Sequence, residues 1–184
     1  MSSLATDCGI THNTAKAWLS LLETSFIIFF LQPHHKNFKK RLVKMPKMYF
    51  YDTGLAAYLA DIEDKQHLFH HPLRGALFES FVISEMLKAR FNKGEGPNLY
   101  FWRDKNGHEV DCLIERPGGP VIVEIKSGKT VTEDFFDNLR YYQKLAGLGP
   151  ADSYVIYGGD QKQPRLSGQA VAWNDFSAAF AEEE

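Results

Sequence analysis

Six consecutive residues, Val121-Ile122-Val123-Glu124-Ile125-Lys126, constrain the fold more than any other stretch of the chain. Apolar and largely β-branched, they read as a strand within a sheet. Side chains alternate along a strand, so Val123 and Ile125 share one face while Glu124 and Lys126 share the other. A carboxylate and an ammonium on a covered strand need a reason. One reason is a structural ion pair at the strand end; the other is a site, and the neighbouring segments bear on the choice.

Upstream, Leu77, Phe78, Phe81, Val82, Met86 and Leu87 recur at helical spacing from Arg74 to Ala89, with Glu79 at the border of that face. Asn98 to Arg103 reads as a strand, Asn106-Gly107 as a two-residue type I′ turn, and Glu109 to Ile114 as the returning strand. Alternation puts Glu109, Asp111 and Leu113 on one face of it and Val110, Cys112 and Ile114 on the other. Arg116 to Pro120 forms a tight loop into the opening hexapeptide. Downstream, a helix over Thr132 to Leu145 buries Phe135, Phe136, Leu139, Tyr142 and Leu145, and Ser153 to Tyr157 is a further strand. Ala170 to Trp173 reads as an edge strand, Asp175 to Phe180 as a short helix, and Glu182 to Glu184 as a frayed end. The order helix, three strands, helix, strand predicts an α/β sandwich with a mixed sheet. With 44% hydrophobic and 14% aromatic residues in 184, the core has ample material.

This order sets Asp111 beside the Glu124/Lys126 pair on adjacent strands, with Glu79 on the helix above. Three carboxylates and a lysine suit Mg²⁺ or Mn²⁺, since a hard cation takes oxygen ligands. Without a cation, grouped carboxylates repel and shift one another's pKa values. With one, they polarise a phosphodiester and activate water, while the Lys126 ammonium orients the nucleophile or stabilises developing charge.

The N-terminal third has a different character. Leu4 to Ile10 ends a short helix at a turn containing Gly9, Thr11 is an N-cap, and Ala15, Trp18, Leu19 and Leu22 form an apolar stripe over His12 to Glu23. The opposite face carries His12, Asn13, Lys16 and Ser20. This pattern matches a helix-turn-helix able to enter a major groove, and equally an ordinary packing hairpin. Phe26 to Leu31 and Lys44 to Tyr51 read as paired strands. Between them His34, His35, Lys36, Lys39, Lys40, Arg41 and Lys44 form the most basic stretch of the chain, either a wing that touches phosphates or a solvated charge run. A net charge of -2 predicts no global attraction to nucleic acid, so DNA binding would fall to this local surface: Asn13, Lys16, Lys36, Lys39, Lys40 and Arg41. Only about half a turn precedes Leu4, so the chain reads as the C-terminal piece of something longer. Asp52 to Ala60 is a short capped helix that closes this unit. Residues 61–73 read as a linker, and His67, His70 and His71 within it lack the accompanying ligands of a metal site.

Cys8 and Cys112 lack CxxC spacing, which fits a reducing cytoplasm rather than a disulfide framework. The apolar run Phe26–Leu31 falls far short of the ~20 residues of a membrane helix, and no signal peptide is visible.

Asp111, twelve intervening residues and Glu124-Ile125-Lys126 resemble the D…(D/E)xK signature of the PD-(D/E)xK nuclease superfamily, with Glu79 matching its helix acid. More widely, Tyr49 to Leu55, Gly75 to Glu79, Glu109 to Asp111 and Val123 to Gly128 resemble the C-terminal region, DUF4143, of prokaryotic AAA-type P-loop ATPases. The resemblance implies a restriction-endonuclease-like αβββαβ core over residues 74–184, behind a winged helix-turn-helix over residues 1–60 truncated at its N-terminus. It implies catalytic Glu79, Asp111, Glu124 and Lys126, the three acids holding the metal, and DNA as partner. It also implies an upstream ATPase domain, where any ATP would bind, and it equally accommodates a catalytically silent DNA-binding or regulatory/protein-interaction module of that ATPase. In some of these nucleases the helix after the ExK strand supports the site with a glutamine or tyrosine, here Tyr142 and Gln143. Two departures stand out: Val110, not proline, precedes Asp111, and the ATPase half is missing. Ser127-Gly128-Lys129-Thr130 is no Walker A loop, since the glycine required at position 123 is valine.

Overall fold

The hexapeptide forms a strand with the bounds its pattern sets, Val121–Lys126, and stands inside a mixed sheet. The computed structural model describes residues 2–34 and 45–176. Within them, strands β1 (Ile28–Pro33), β2 (Lys47–Phe50), β3 (Leu99–Arg103), β4 (Glu109–Ile114), β5 (Val121–Lys126), β6 (Ser153–Tyr157), β7 (Gln163–Arg165) and β8 (Gly168–Ala172) form one eight-stranded sheet. Their order is β2-β1-β3-β4-β5-β6-β8-β7. The β3–β4–β5 meander is antiparallel, whereas β5, β6 and β8 run parallel. The chain is therefore mixed α/β, with helix α5 (Arg74–Asn92) on one face of the sheet and α6 (Asp137–Ala146) on the other.

Each helix buries its apolar stripe against alternate strand residues. Val82, Ile83, Met86 and Leu87 of α5 pack on Leu99, Phe101, Cys112, Val123 and Ile125. Leu139 and Tyr142 of α6 pack on Trp102, Val110, Leu113, Ile122 and Val155. Helix α6 follows a 3₁₀ turn, Glu133–Phe136, and stops at Gly147, whose φ of 68° suits a residue without Cβ.

Strand β4 departs from the expected alternation. Tyr100 pairs with Leu113 but Trp102 pairs with Val110, so Asp111 and Cys112 together oppose the single residue Phe101. This β-bulge sends Leu113 to the α6 side with Val110, while Cys112 joins the α5-side core. The hairpin turn also differs. Asn106 does not take the positive φ that a type I′ turn requires; only Gly107 does, at 91°. The Asp104 carboxylate instead accepts the N–H groups of Asn106 and His108 at 2.8 and 3.1 Å, fixing a longer loop.

The N-terminal segment comprises α1 (Ser2–Asp7), α2 (His12–Thr24), the β1–β2 hairpin and α3 (Thr53–Leu59). Thr11 caps α2 by accepting Thr14 N–H at 3.1 Å, and Asp52 caps α3. Ala15 and Leu19 are buried, but Trp18, placed in the same stripe by spacing, is 57% exposed. Strand β1 begins two residues later than expected and runs through Pro33, because Gln32 and Pro33 pair in parallel with Tyr100 and Phe101 of β3. The hairpin thus extends the same sheet. Between residues 61 and 73, Asp64 caps a one-and-a-half-turn helix, α4 (Lys65–His70), where a plain loop was expected for His67 and His70. Strand β8 is interior rather than an edge: β7 pairs along its outer side. The short helix expected at Asp175 to Phe180 and the acidic end fall almost wholly outside the described residues.

Candidate functional site

The β4–β5 ladder runs from Ile114↔Val121 to Cys112↔Val123 and then stops. Beyond that point Asp111 continues it with a side chain, its Oδ2 accepting the Ile125 N–H at 2.8 Å. The bulge directs Asp111 toward the α5 side. Glu79 of α5 and Glu109 of β4 meet it there, and one carboxylate oxygen from each of the three lies within 4.8 Å of the others. Among the described residues this is the group of acidic, histidine or cysteine side chains arranged to hold a metal ion.

A lysine already stands in this group. Lys47 Nζ lies 2.8 Å from Glu79 Oε1 and 3.9 Å from Asp111 Oδ1, and it also pairs with Glu109. The Tyr49 hydroxyl donates to the same Glu79 oxygen at 2.5 Å. Burial alone would lower the pKa of Lys47, but Glu79, Asp111 and Glu109 hold it above the ordinary lysine value. Burial and the Glu79 charge raise Tyr49, which therefore remains an O–H donor.

Glu124 and Lys126 form a second group, on the α6 side. Glu124 is 2% exposed, and its Oε1 accepts Lys126 Nζ at 2.6 Å and Asn138 Nδ2 at 3.2 Å. Its Oε2 is buried without a hydrogen-bond partner. The two groups are electrostatically joined across the end of the ladder. Burial first, then the charges of Glu124 and Glu79, push Asp111 well above the ordinary carboxylate range, against the pull of Lys47 and the Ile125 N–H. Burial likewise raises Glu124, although Lys126 and Asn138 pull it down. Burial opposes the charge of Lys126, yet Glu124 outweighs it and the ammonium is held on.

Of the residues singled out from sequence, Glu79 and Asp111 are brought together, while Glu124 and Lys126 make a neighbouring pair. Asn13 and Lys16 are exposed on α2, as DNA contacts would need to be. Lys36, Lys39, Lys40 and Arg41 lie outside the described residues. Tyr142 packs edge-on against Trp102, and Gln143 ties Ser153 to Ser167, so both serve the α6-side core. Sequence reasoning missed Lys47, Tyr49, Glu109 and Asn138 as members of the site. Alternation groups Glu109 with Asp111, and the same period applied to Lys44–Tyr51 would group Lys47 with Tyr49, but nothing local shows that β2 faces α5.

The turn after β5 is built for close packing. Arg74 donates to the Ser127 carbonyl at 2.6 Å, and Gly158 N–H bonds to the carbonyls of Lys126 and Gly128. A Cβ on Gly158 would lie 2.6 Å from the Ser127 oxygen, so a side chain there would push the end of β5 away.

A family model described as Domain of unknown function (DUF4143) matches residues 74–176, more than half of the chain and all of the α5-to-β8 unit. The chain belongs to the DUF4143 family. A second model, Domain of unknown function (DUF8612), matches residues 1–66, ahead of the DUF4143 region. Two curated relatives, "Uncharacterized protein Mb2031c" of Mycobacterium bovis and "Uncharacterized protein Rv2008c" of Mycobacterium tuberculosis, are each 34% identical over 172 residues. These residues cover 93% of this chain, which spans 37% of the length of either relative. No solved structure matches the chain. Among the described residues of this DUF4143 protein, no helix is long and apolar enough to cross a membrane.

Proposed function

We propose that this DUF4143 chain carries a divalent-metal phosphodiesterase site that acts on DNA, with a PD-(D/E)xK-type core and an N-terminal winged helix-turn-helix for duplex contact. The observation that carries this reading is Glu124: a carboxylate 2% exposed, with one oxygen unpartnered, coupled in charge to Asp111 at the end of a broken ladder. A buried carboxylate oxygen without a partner is costly, and a cation relieves that cost. The donor set also suits Mg²⁺ or Mn²⁺, because every candidate ligand, Glu79, Glu109, Asp111 and Glu124, is a hard oxygen.

A bound divalent ion would supply Lewis-acid polarisation of a phosphodiester and a more acidic water. The chain's own groups do the rest. Asp111, tied to Ile125 N–H, fixes one carboxylate against the strand. Lys126, with its proton held on by Glu124, is no general base near neutral pH; its ammonium neutralises charge that builds on phosphate oxygens. Asn138 orients Glu124 from α6. Duplex contact falls to the exposed Asn13 and Lys16 and to the basic stretch at Lys36 to Arg41. The resemblance to the C-terminal region of AAA-type ATPases supports an upstream ATPase domain as the partner, and the greater length of the relatives leaves room for one. Incubation with supercoiled and branched DNA plus Mn²⁺ tests the reading: wild type nicks and Glu124→Ala does not. Equal nicking by both overturns it.

A second reading has its own observation. Lys47 and Lys126 already pair with the carboxylates, as they would in a catalytically silent DNA-binding or regulatory module of an ATPase. In that case duplex binding persists without metal or cleavage, and replacing Lys39, Lys40 and Arg41 lowers its salt dependence.

A further inference from the structure

The Lys47 ammonium occupies the space among Glu79, Glu109 and Asp111 that a metal ion would take. We propose that Lys47 is a resident counter-ion of this site, and that a divalent cation gains full access to the carboxylates only when the β2 strand withdraws that ammonium. The inference rests on the metal reading above and adds to it a gate built into the hairpin.

Three observations converge on it. The first is exclusion. Glu79 Oε1 already receives both Lys47 Nζ, at 2.8 Å, and the Tyr49 hydroxyl, at 2.5 Å. A metal bonded to that oxygen at about 2.1 Å would stand within a few ångströms of the ammonium and repel it. The second is charge. Three carboxylates, Glu79, Glu109 and Asp111, face two cations, Lys47 and Arg103, so the group keeps a formal surplus of one negative charge, while Glu124 and Lys126 pair across the end of the ladder. In the neighbouring pair, Glu124 Oε2 is likewise left without a hydrogen-bond donor.

The third is mechanical. Strand β2 is the terminal strand of the sheet and pairs only with β1; β1 joins β3 through Gln32↔Tyr100, Pro33↔Phe101 and the His34 N–H to the Phe101 carbonyl, and Ser80 of α5 bonds both the N–H and the carbonyl of Phe50. Lys47 is the first residue of this edge strand, three residues before the Phe50–Ser80 tie, and can leave the acids without breaking the central β3–β4–β5 ladders.

Titration calorimetry of Mn²⁺ into wild type, Lys47→Met and Lys47→Arg tests the gate without any activity measurement. Lys47→Met should bind Mn²⁺ about tenfold more tightly than wild type, because the competing charge is gone, while Lys47→Arg stays near wild type. Equal or weaker affinity in Lys47→Met overturns the gate and leaves the metal reading intact. Failure of wild type and Lys47→Met alike to bind Mn²⁺ overturns both. If Lys47→Met does not fold in metal-free buffer, Mn²⁺ should restore its thermal transition; no restoration also overturns the gate.

Discussion

Asp111 receives the backbone N–H of Ile125 on its carboxylate at 2.8 Å, at the point where the β4–β5 ladder has run out. A side chain replaces a strand carbonyl there, so the same group that would bind a cation also finishes the sheet. Its acidity and the stability of the fold are therefore linked.

The first prediction follows from the sign of that linkage. Asp111 has a higher pKa folded than unfolded, so the native state holds the proton more tightly, and its contribution is fully present below the ordinary aspartate pKa of about 3.9. It is lost as pH rises through the elevated folded value. Asp111→Asn retains an oxygen for Ile125 N–H and removes the titration. In metal-free buffer the variant should match wild type near pH 4 and exceed it increasingly toward pH 8, by about 3 °C in Tm for each kcal/mol. Thermal melts across pH check this; a margin that does not grow with pH refutes it.

Removing the partner of a buried carboxylate has the opposite effect. Lys126→Met leaves Glu124 without its ammonium, at a cost of about 2 kcal/mol, between the values for exposed and buried pairs because Lys126 is one-third exposed. The double variant Glu124→Gln/Lys126→Met should recover most of that loss. Urea denaturation of the four proteins closes the cycle.

Metal should stabilise the fold by mass action. Mn²⁺ at about one hundred times its Kd should add roughly 2.7 kcal/mol to unfolding. Glu124→Gln and Asp111→Asn should each abolish most of the shift, whereas Gln143→Ala, whose amide bonds Ser153 and Ser167 rather than the acids, should retain it. Melting curves with and without Mn²⁺ report the difference.

Cys112 offers a view of the same place. It is fully buried, next to Asp111 in the bulge, and burial together with the Asp111 charge pushes its thiol pKa upward; Cys8 is exposed. In a Cys8→Ser background, labelling of Cys112 by a disulfide reagent should require local opening of β4, and Mn²⁺ should slow it severalfold. Labelling as fast as that of a free thiol would show that the bulge does not shield Cys112.

Much of this arrangement was legible in the residues. The β5 hexapeptide, the meander before it and α6 after it announce themselves through alternation, turn residues and helical spacing, and Glu79 and Asp111 do meet. What could not be read is non-local. The bulge depends on one extra residue in β4 relative to β3, which no single-strand period reveals. Asn106-Gly107 has the composition of a tight turn, but the Asp104 carboxylate captures two N–H groups and enlarges the loop. Lys47 enters the site because β1 docks on β3, a contact between segments far apart in the chain.

The extra residue in β4 lets the Asp111 acid and the Cys112 core thiol share the α5 side, which a regular strand does not allow. Deleting Asp111 or Cys112 would restore unbroken alternation from Val110 onward, but only by removing one of the two side chains that now share the α5 side, the acid or the core thiol. Deletion of Asp111 gives an orderly hairpin without an anchor for Ile125 N–H; deletion of Cys112 leaves the acid opposite Phe101 where the core expects an apolar group.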